Sequence, residues 1–131
     1  TEIIRKVNEM FKLVLLLKRK PGMSPEEFRD YYETRHAVLG ARMAPLARRY
    51  IRNYLHPLRS NAPAGTEPPY DCITELWFDS EDDFRRNGEL VAAMREELAA
   101  ITADEENLFD RSKIYWFTTT QGESVLDTSG H

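Results

Sequence analysis

Few side chains in this sequence can move a proton near neutral pH, and one of them is placed to do chemistry. His36 falls on the same helical stripe as Phe28, Tyr32 and Leu39, at spacings of 4, 4 and 3 residues. An imidazole titrates near neutrality, as proton transfer at pH 7 requires. The same residue also fits a core histidine bonded to a backbone carbonyl, or a cation at a helix C-terminus. Asp104 and Asp110 are the carboxylates that could orient such an imidazole or polarise a substrate hydroxyl, unless they are turn or capping acids. Glu105 and Glu106 read as surface. Tyr31, Tyr32, Tyr54, Tyr70, Trp77, Tyr115 and Trp116 supply hydroxyls and flat faces suited to an aromatic ligand, or else to core packing. Arg35 could hold a substrate carboxylate, or pair with Asp30 or Glu33. The expected catalytic residues are thus His36 and Asp104. Tyr31, Tyr32, Tyr54, Trp77, Trp116 and Arg35 are the expected substrate contacts.

Other chemistries find little support. His36 and His56 are 20 residues apart, and the sequence has neither a cysteine pair nor an H-E-x-x-H motif, so no metal is expected. Gly22, Gly40, Gly65 and Gly88 are isolated, so no phosphate-binding loop and no nucleotide cofactor is expected. Cys72, between apolar neighbours, reads as packing rather than as a nucleophile, and the single cysteine permits a reducing, cytoplasmic setting. A net charge of −4 argues against nucleic-acid binding. Arg42, Arg48, Arg49 and Arg52 read as solvated surface or interface. The longest apolar run, Leu13 to Leu17, is far short of a membrane span, and the first eleven residues, with Glu2, Arg5, Lys6 and Glu9, do not read as a leader. A small-molecule substrate is the partner that remains.

A chain of 131 residues, 41% hydrophobic and 31% charged, suits one soluble domain. Residues 1–10 read as a short helix or arm and 11–19 as a strand apolar on both faces. Ser24-Pro25-Glu26-Glu27 opens a helix to about residue 37 with a capping box. Residues 40–48 read as a turn or irregular helix. Strands are expected over 50–56 and 71–78, on either side of a Pro-rich loop over 57–69. Ser80 caps a second helix, broken or bent at Gly88 and resumed over 89–101 with Leu90, Met94, Leu98 and Ile101 as its buried stripe. An acidic connection over 104–110 leads to a last strand over 113–119, and 120–131 reads as a tail. The order β–α–β–β–α–β makes this an α+β fold, a ferredoxin-like four-stranded antiparallel sheet with both helices on one face. The helices leave the other face of the doubly apolar first strand uncovered, and a second copy of the chain is its simplest cover.

Four segments resemble the EthD family. They are the run from Lys12 to Phe28; the helix end Tyr31-Tyr32-Glu33-Thr34-Arg35-His36-Ala37; Tyr70-Asp71 with Thr74 to Ser80; and the acidic stretch from Asp104 to Asp110. Leu108 stands where that family's pattern leads one to expect Phe. The resemblance spans about 11–119, with 1–10 and 120–131 as extensions of a single domain. It implies a dimeric α/β barrel and hence a homodimer. It also implies a small cofactor-independent lyase, cyclase, dehydratase or isomerase acting on an aromatic, polyketide-like or lactone substrate. A cofactor-free monooxygenase of phenols or anthrones, or a non-catalytic ligand carrier, are the alternatives within the same pocket.

Overall fold

The computed structural model describes residues 10–127. Nearly all of the expected N-terminal helix or arm lies outside them. Four strands, β1 (Phe11–Leu17), β2 (Arg49–Tyr54), β3 (Cys72–Phe78) and β4 (Tyr115–Thr118), form one sheet in the order β2-β3-β1-β4, with every pairing antiparallel. This is the ferredoxin-like α+β arrangement expected from the element order. Two helical segments cover one face. The first joins α1 (Pro25–Tyr31), a π-helical turn (Tyr32–His36) and α2 (Ala37–Arg42); the second comprises α3 (Glu81–Ala92) and α4 (Arg95–Leu108).

Alternation along the strands sorts the side chains. Leu13, Leu15 and Leu17 of β1, Tyr50 of β2, and Thr74, Leu76 and Phe78 of β3 face the helices. Val14, Leu16, Ile51, Ile73 and Trp77 share the opposite face with Tyr115 and Phe117, whose rings stack at 6.1 Å. The buried cluster lies at one end of the helix-covered side, where Leu17, Phe28, Tyr32, Cys72, Leu108 and Phe109 pack together.

Local chemistry explains the boundaries. The Ser24 hydroxyl accepts from the Glu27 amide while the Glu27 carboxylate accepts from the Ser24 amide, so the capping box forms as read from the sequence. The Ser80 hydroxyl likewise accepts from the Asp83 amide. At the end of β1 the buried Lys18 ammonium donates to Glu67 Oε1 (2.8 Å) and the Pro68 carbonyl (3.1 Å) and lies 3.3 Å from Asp71 Oδ2. Arg19 also reaches Asp71, at 2.6 Å. These bonds tie down the Pro-rich loop, which carries no regular secondary structure.

Several expected boundaries move. Residues 37–42 continue the first helix instead of ending it, because no proline or capping residue intervenes before Met43. Gly88 does not break the second helix. The break falls at Ala93–Met94, which resets the helical phase; of the expected buried stripe, Leu90 is 47% and Leu98 40% exposed, and Met94 and Ile101 are only partly buried. The acidic stretch from residue 104 is not a connection: α4 runs to Leu108, so Asp104 sits on a helix. β2 and β4 are shorter than expected, and a 3₁₀ turn (Arg111–Lys113) precedes β4. Residues 120–127 form no regular element.

Candidate functional site

The site begins with an irregularity in the first helix. Between Tyr32 and His36 the winding loosens to a π turn, closed by the Ala37 amide donating to the Tyr32 carbonyl. Such one-turn π segments are rare and recur at functional sites. The looser turn rotates the next helical turn, so Ala37 and Gly40 are buried with Phe28, Tyr32 and His36 while Leu39 is only half-buried. His36 is thereby turned inward, edge-on to Tyr32 (5.4 Å) and Phe109 (5.1 Å).

Asp104 meets it from α4. The His36 Nδ1 lies 2.9 Å from Asp104 Oδ2, while Oδ1 accepts from the Tyr31 hydroxyl at 2.5 Å and from Asn107 Nδ2 at 3.1 Å. Burial alone would raise the Asp104 pKa, but the bonds from Tyr31, His36 and Asn107 outweigh it and hold the carboxyl below its ordinary value. Burial lowers the His36 pKa, against the pull of Asp104, which favours the neutral imidazole. An ionised carboxylate only accepts, so Nδ1 must carry the hydrogen and Nε2 the lone pair. Among the described residues Nε2 has no hydrogen-bond partner, yet no buried side-chain nitrogen or oxygen is left unsatisfied; Nε2 is therefore open to the cavity that His36 lines.

That cavity, about 520 Å³, lies between the sheet and the helices. It is of the size that takes a small organic ligand. Its walls are mostly apolar, with Leu15, Leu76, Phe84, Val91 and Ile101 among them. Polar groups gather near His36. The Tyr32 hydroxyl bonds Thr74 Oγ1 at 2.8 Å, and the Tyr50 hydroxyl donates to the Tyr32 hydroxyl at 3.5 Å. Glu105 also lines the cavity, 3.7 Å from Arg111, and burial raises its pKa. Sequence reasoning passes over Tyr50 and puts Glu105 on the surface. Glu105 belongs to the stripe of Leu98, Ile101, Thr102 and Phe109, which becomes visible once α4 is carried past residue 101. Tyr50 is legible from its alternation with Arg52 and Tyr54.

The other expected contacts divide by position. Tyr32 and Trp116 line the cavity, Trp116 at its more open side with 59% exposure. Tyr31 stands behind the imidazole on Asp104, and Arg35 lies over the Tyr31 ring at 5.7 Å, outside the cavity. The Tyr54 hydroxyl donates to Glu33, which also pairs with Arg52, so Glu33 is not the partner of Arg35. Trp77 lies on the far side of the sheet, between Lys12 and Arg49, because its register parity is opposite to that of Thr74 and Leu76. Tyr70 and Tyr115 meet each other at 6.2 Å, and Asp110 accepts from Ser112. The Cys72 thiol is buried and pushed up to about 12, which makes it a poor nucleophile. Among the described residues no helix is long and apolar enough to cross a membrane, and no three His, Cys, Asp or Glu side chains gather as a metal site.

Comparison with known proteins matches the EthD domain to residues 20–112. No curated protein matches the chain significantly. Among solved structures, an ethyl tert-butyl ether D family protein from Bacillus halodurans aligns with a TM-score of 0.55 at 22% identity, over 86% of this chain and 99% of that one. A protein from Arabidopsis thaliana aligns with a TM-score of 0.57 at 16% identity, over 88% and 99%. A dimeric protein of unknown function and ferredoxin-like fold from Bacteroides fragilis aligns at 0.52 and 16%, over 86% and 97%. At these identities the likeness is one of fold.

Proposed function

This chain belongs to the EthD family, and on that premise we propose that it is a small cofactor-independent enzyme of the lyase, cyclase, dehydratase or isomerase type. It works by proton transfer on an aromatic, polyketide-like or lactone substrate. The observation that carries this reading is the His36–Asp104 pair, with Nδ1 bonded to the carboxylate and Nε2 open to an apolar cavity. In that setting His36 Nε2 removes a proton from the substrate. Asp104 stabilises the imidazolium that forms and keeps the ring in the tautomer able to accept. Tyr31 and Asn107 hold the carboxylate in place. The imidazolium then returns the proton at a second position, or to a leaving hydroxyl. Tyr32 and Trp116 bound the space that the substrate occupies.

The active unit is proposed to be a homodimer in which the uncovered sheet faces meet. Tyr115 and Phe117 on that face are about half exposed in the single chain, and the Bacteroides relative is described as dimeric. Light scattering should give twice the chain mass at micromolar concentration; a stable monomer would remove the dimer.

Deuterium exchange tests the chemistry. Aromatic, β-keto and lactone carbon acids are incubated in D₂O with the protein, and the loss of C–H signal is followed by NMR. At least one class should exchange at a rate that His36→Gln lowers about 10²–10⁴-fold. Equal rates with the protein and with the variant would end the assignment.

A further inference from the structure

Gly40 lies inside a helix with ordinary helical backbone, where glycine costs about 1 kcal/mol relative to alanine. No positive φ calls for it. The reason for it is a neighbour: a Cβ on residue 40 would stand 2.3 Å from the Tyr50 hydroxyl oxygen and 2.9 Å from its ring carbon Cζ. The missing methyl is a notch, and the Tyr50 hydroxyl fills it. Across from the notch the same hydroxyl reaches the Tyr32 hydroxyl at 3.5 Å. Residues 32, 36 and 40 are the buried stripe of the first helix, and His36 is the middle one. The Tyr50 hydroxyl is thus held between the residues that flank His36, on a wall of the cavity that all four line.

We propose that the Tyr50 hydroxyl, seated in the Gly40 notch beside His36, is the hydrogen-bond donor for the oxyanion that develops on the substrate. The substrate is accordingly a carbonyl compound with an acidic C–H bond next to the carbonyl carbon. This rests on the reading that His36 removes the proton. When Nε2 takes that proton, the C–H electron pair becomes the carbon–carbon π bond of an enolate. The carbonyl π pair moves onto oxygen, and the Tyr50 O–H donates to the charge that forms there. Reprotonation by the imidazolium, on carbon or on oxygen, closes the step without an oxidant or cofactor.

The environment suits a donor. The 3.5 Å contact to Tyr32 is long, so the Tyr50 proton is only weakly committed. Tyr32 is occupied with Thr74. Arg52 lies 4.5 Å over the Tyr50 ring but spends its donors on Glu33 and, through Nη1, on the Tyr50 backbone carbonyl, so it adds positive potential without competing for the ligand. Burial keeps the phenol protonated, against the smaller opposing effects of Tyr32 and Arg52.

The test uses p-nitrophenol, whose absorbance distinguishes phenol from phenolate, as an oxyanion probe in the full chain. The wild-type protein should bind the phenolate and shift its ionisation to lower pH. Tyr50→Phe, with an unchanged circular dichroism spectrum, should weaken phenolate binding about 10-fold or more, as expected on losing a hydrogen bond to a charged group. It should bind the neutral phenol as before. Phenolate bound equally by wild type and Tyr50→Phe, or not bound by wild type at all, would overturn the proposal. The same pair is repeated in a His36→Gln background. A persisting Tyr50 effect there supports the donor independently of the base. Unchanged deuterium exchange in His36→Gln would then count against the base alone.

Discussion

Gly40→Ala probes the packing on which the Tyr50 geometry depends, without removing or adding a polar atom. In an open helix this change stabilises by about 1 kcal/mol. Here the new methyl would lie 2.3 Å from the Tyr50 oxygen and 2.9 Å from Cζ, well inside contact distance. The tyrosine ring is stiff and is packed beneath Arg52, so relief requires a shift of strand or helix. Overpacking of this kind costs about 1–3 kcal/mol. The propensity gain offsets part of it, leaving a net loss of about 0–2 kcal/mol. Tyr50→Phe removes the oxygen and leaves only the ring-carbon contacts, at 2.9 Å to Cζ and 3.2 Å to Cε2, so the same Gly40→Ala change should cost less in that background. Chemical denaturation of the four proteins gives the coupling energy directly. A favourable coupling of at least about 0.5 kcal/mol is expected, since contacting residues couple above that level. If Gly40→Ala stabilises both backgrounds equally by about 1 kcal/mol, the notch is not filled and the reasoning fails.

Three further outcomes are expected from the bonds around His36 and Lys18. Asp104→Asn leaves Tyr31, His36 and Asn107 competing for one amide oxygen. It should destabilise by about 1–3 kcal/mol in denaturant melts and lower the His36 pKa further, by removing the group that opposes burial. Because the fold lowers His36 below 6.5, the unfolded chain takes up that proton first. This part of the stability is complete above pH 6.5 and is lost as the pH falls below it; melts from pH 8 to 5 should show the loss in wild type and less of it in His36→Gln. Lys18→Met severs the bonds to Glu67 and Pro68 and should speed protease cleavage within residues 57–69 while leaving the sheet's circular dichroism unchanged.

Much of the fold is legible because its signals are local. The capping box at Ser24, the two-sided apolar run of β1 and the prolines after β2 each act within a few residues. The sheet order then comes from the few allowed topologies. The misplaced features depend on contacts between distant segments. An acidic run resembles a loop, which puts Asp104 in a connection, yet its carboxylate is held by Tyr31 and His36, some 70 residues earlier in the chain. The π turn has no short sequence signature, and it alone decides that Ala37 and Gly40, not Leu39, face inward. Gly40 reads as the start of a turn or irregular helix until Tyr50 is brought against it. Trp77 and Tyr54 carry the right chemistry for a ligand, but strand parity and the Glu33 network take them elsewhere. Arg35 is drawn to Tyr31 in the same way.

The central claim is that His36 presents an unprotonated Nε2 to the cavity while Nδ1–H is held by Asp104. Nitrogen-15 NMR of the imidazole across a pH titration measures this directly. The expected result is the Nδ1–H tautomer near pH 7, with an ionisation below 6.5 that moves lower still in Asp104→Asn. A proton on Nε2 at pH 7, whether in the other neutral tautomer or in an imidazolium, would contradict it.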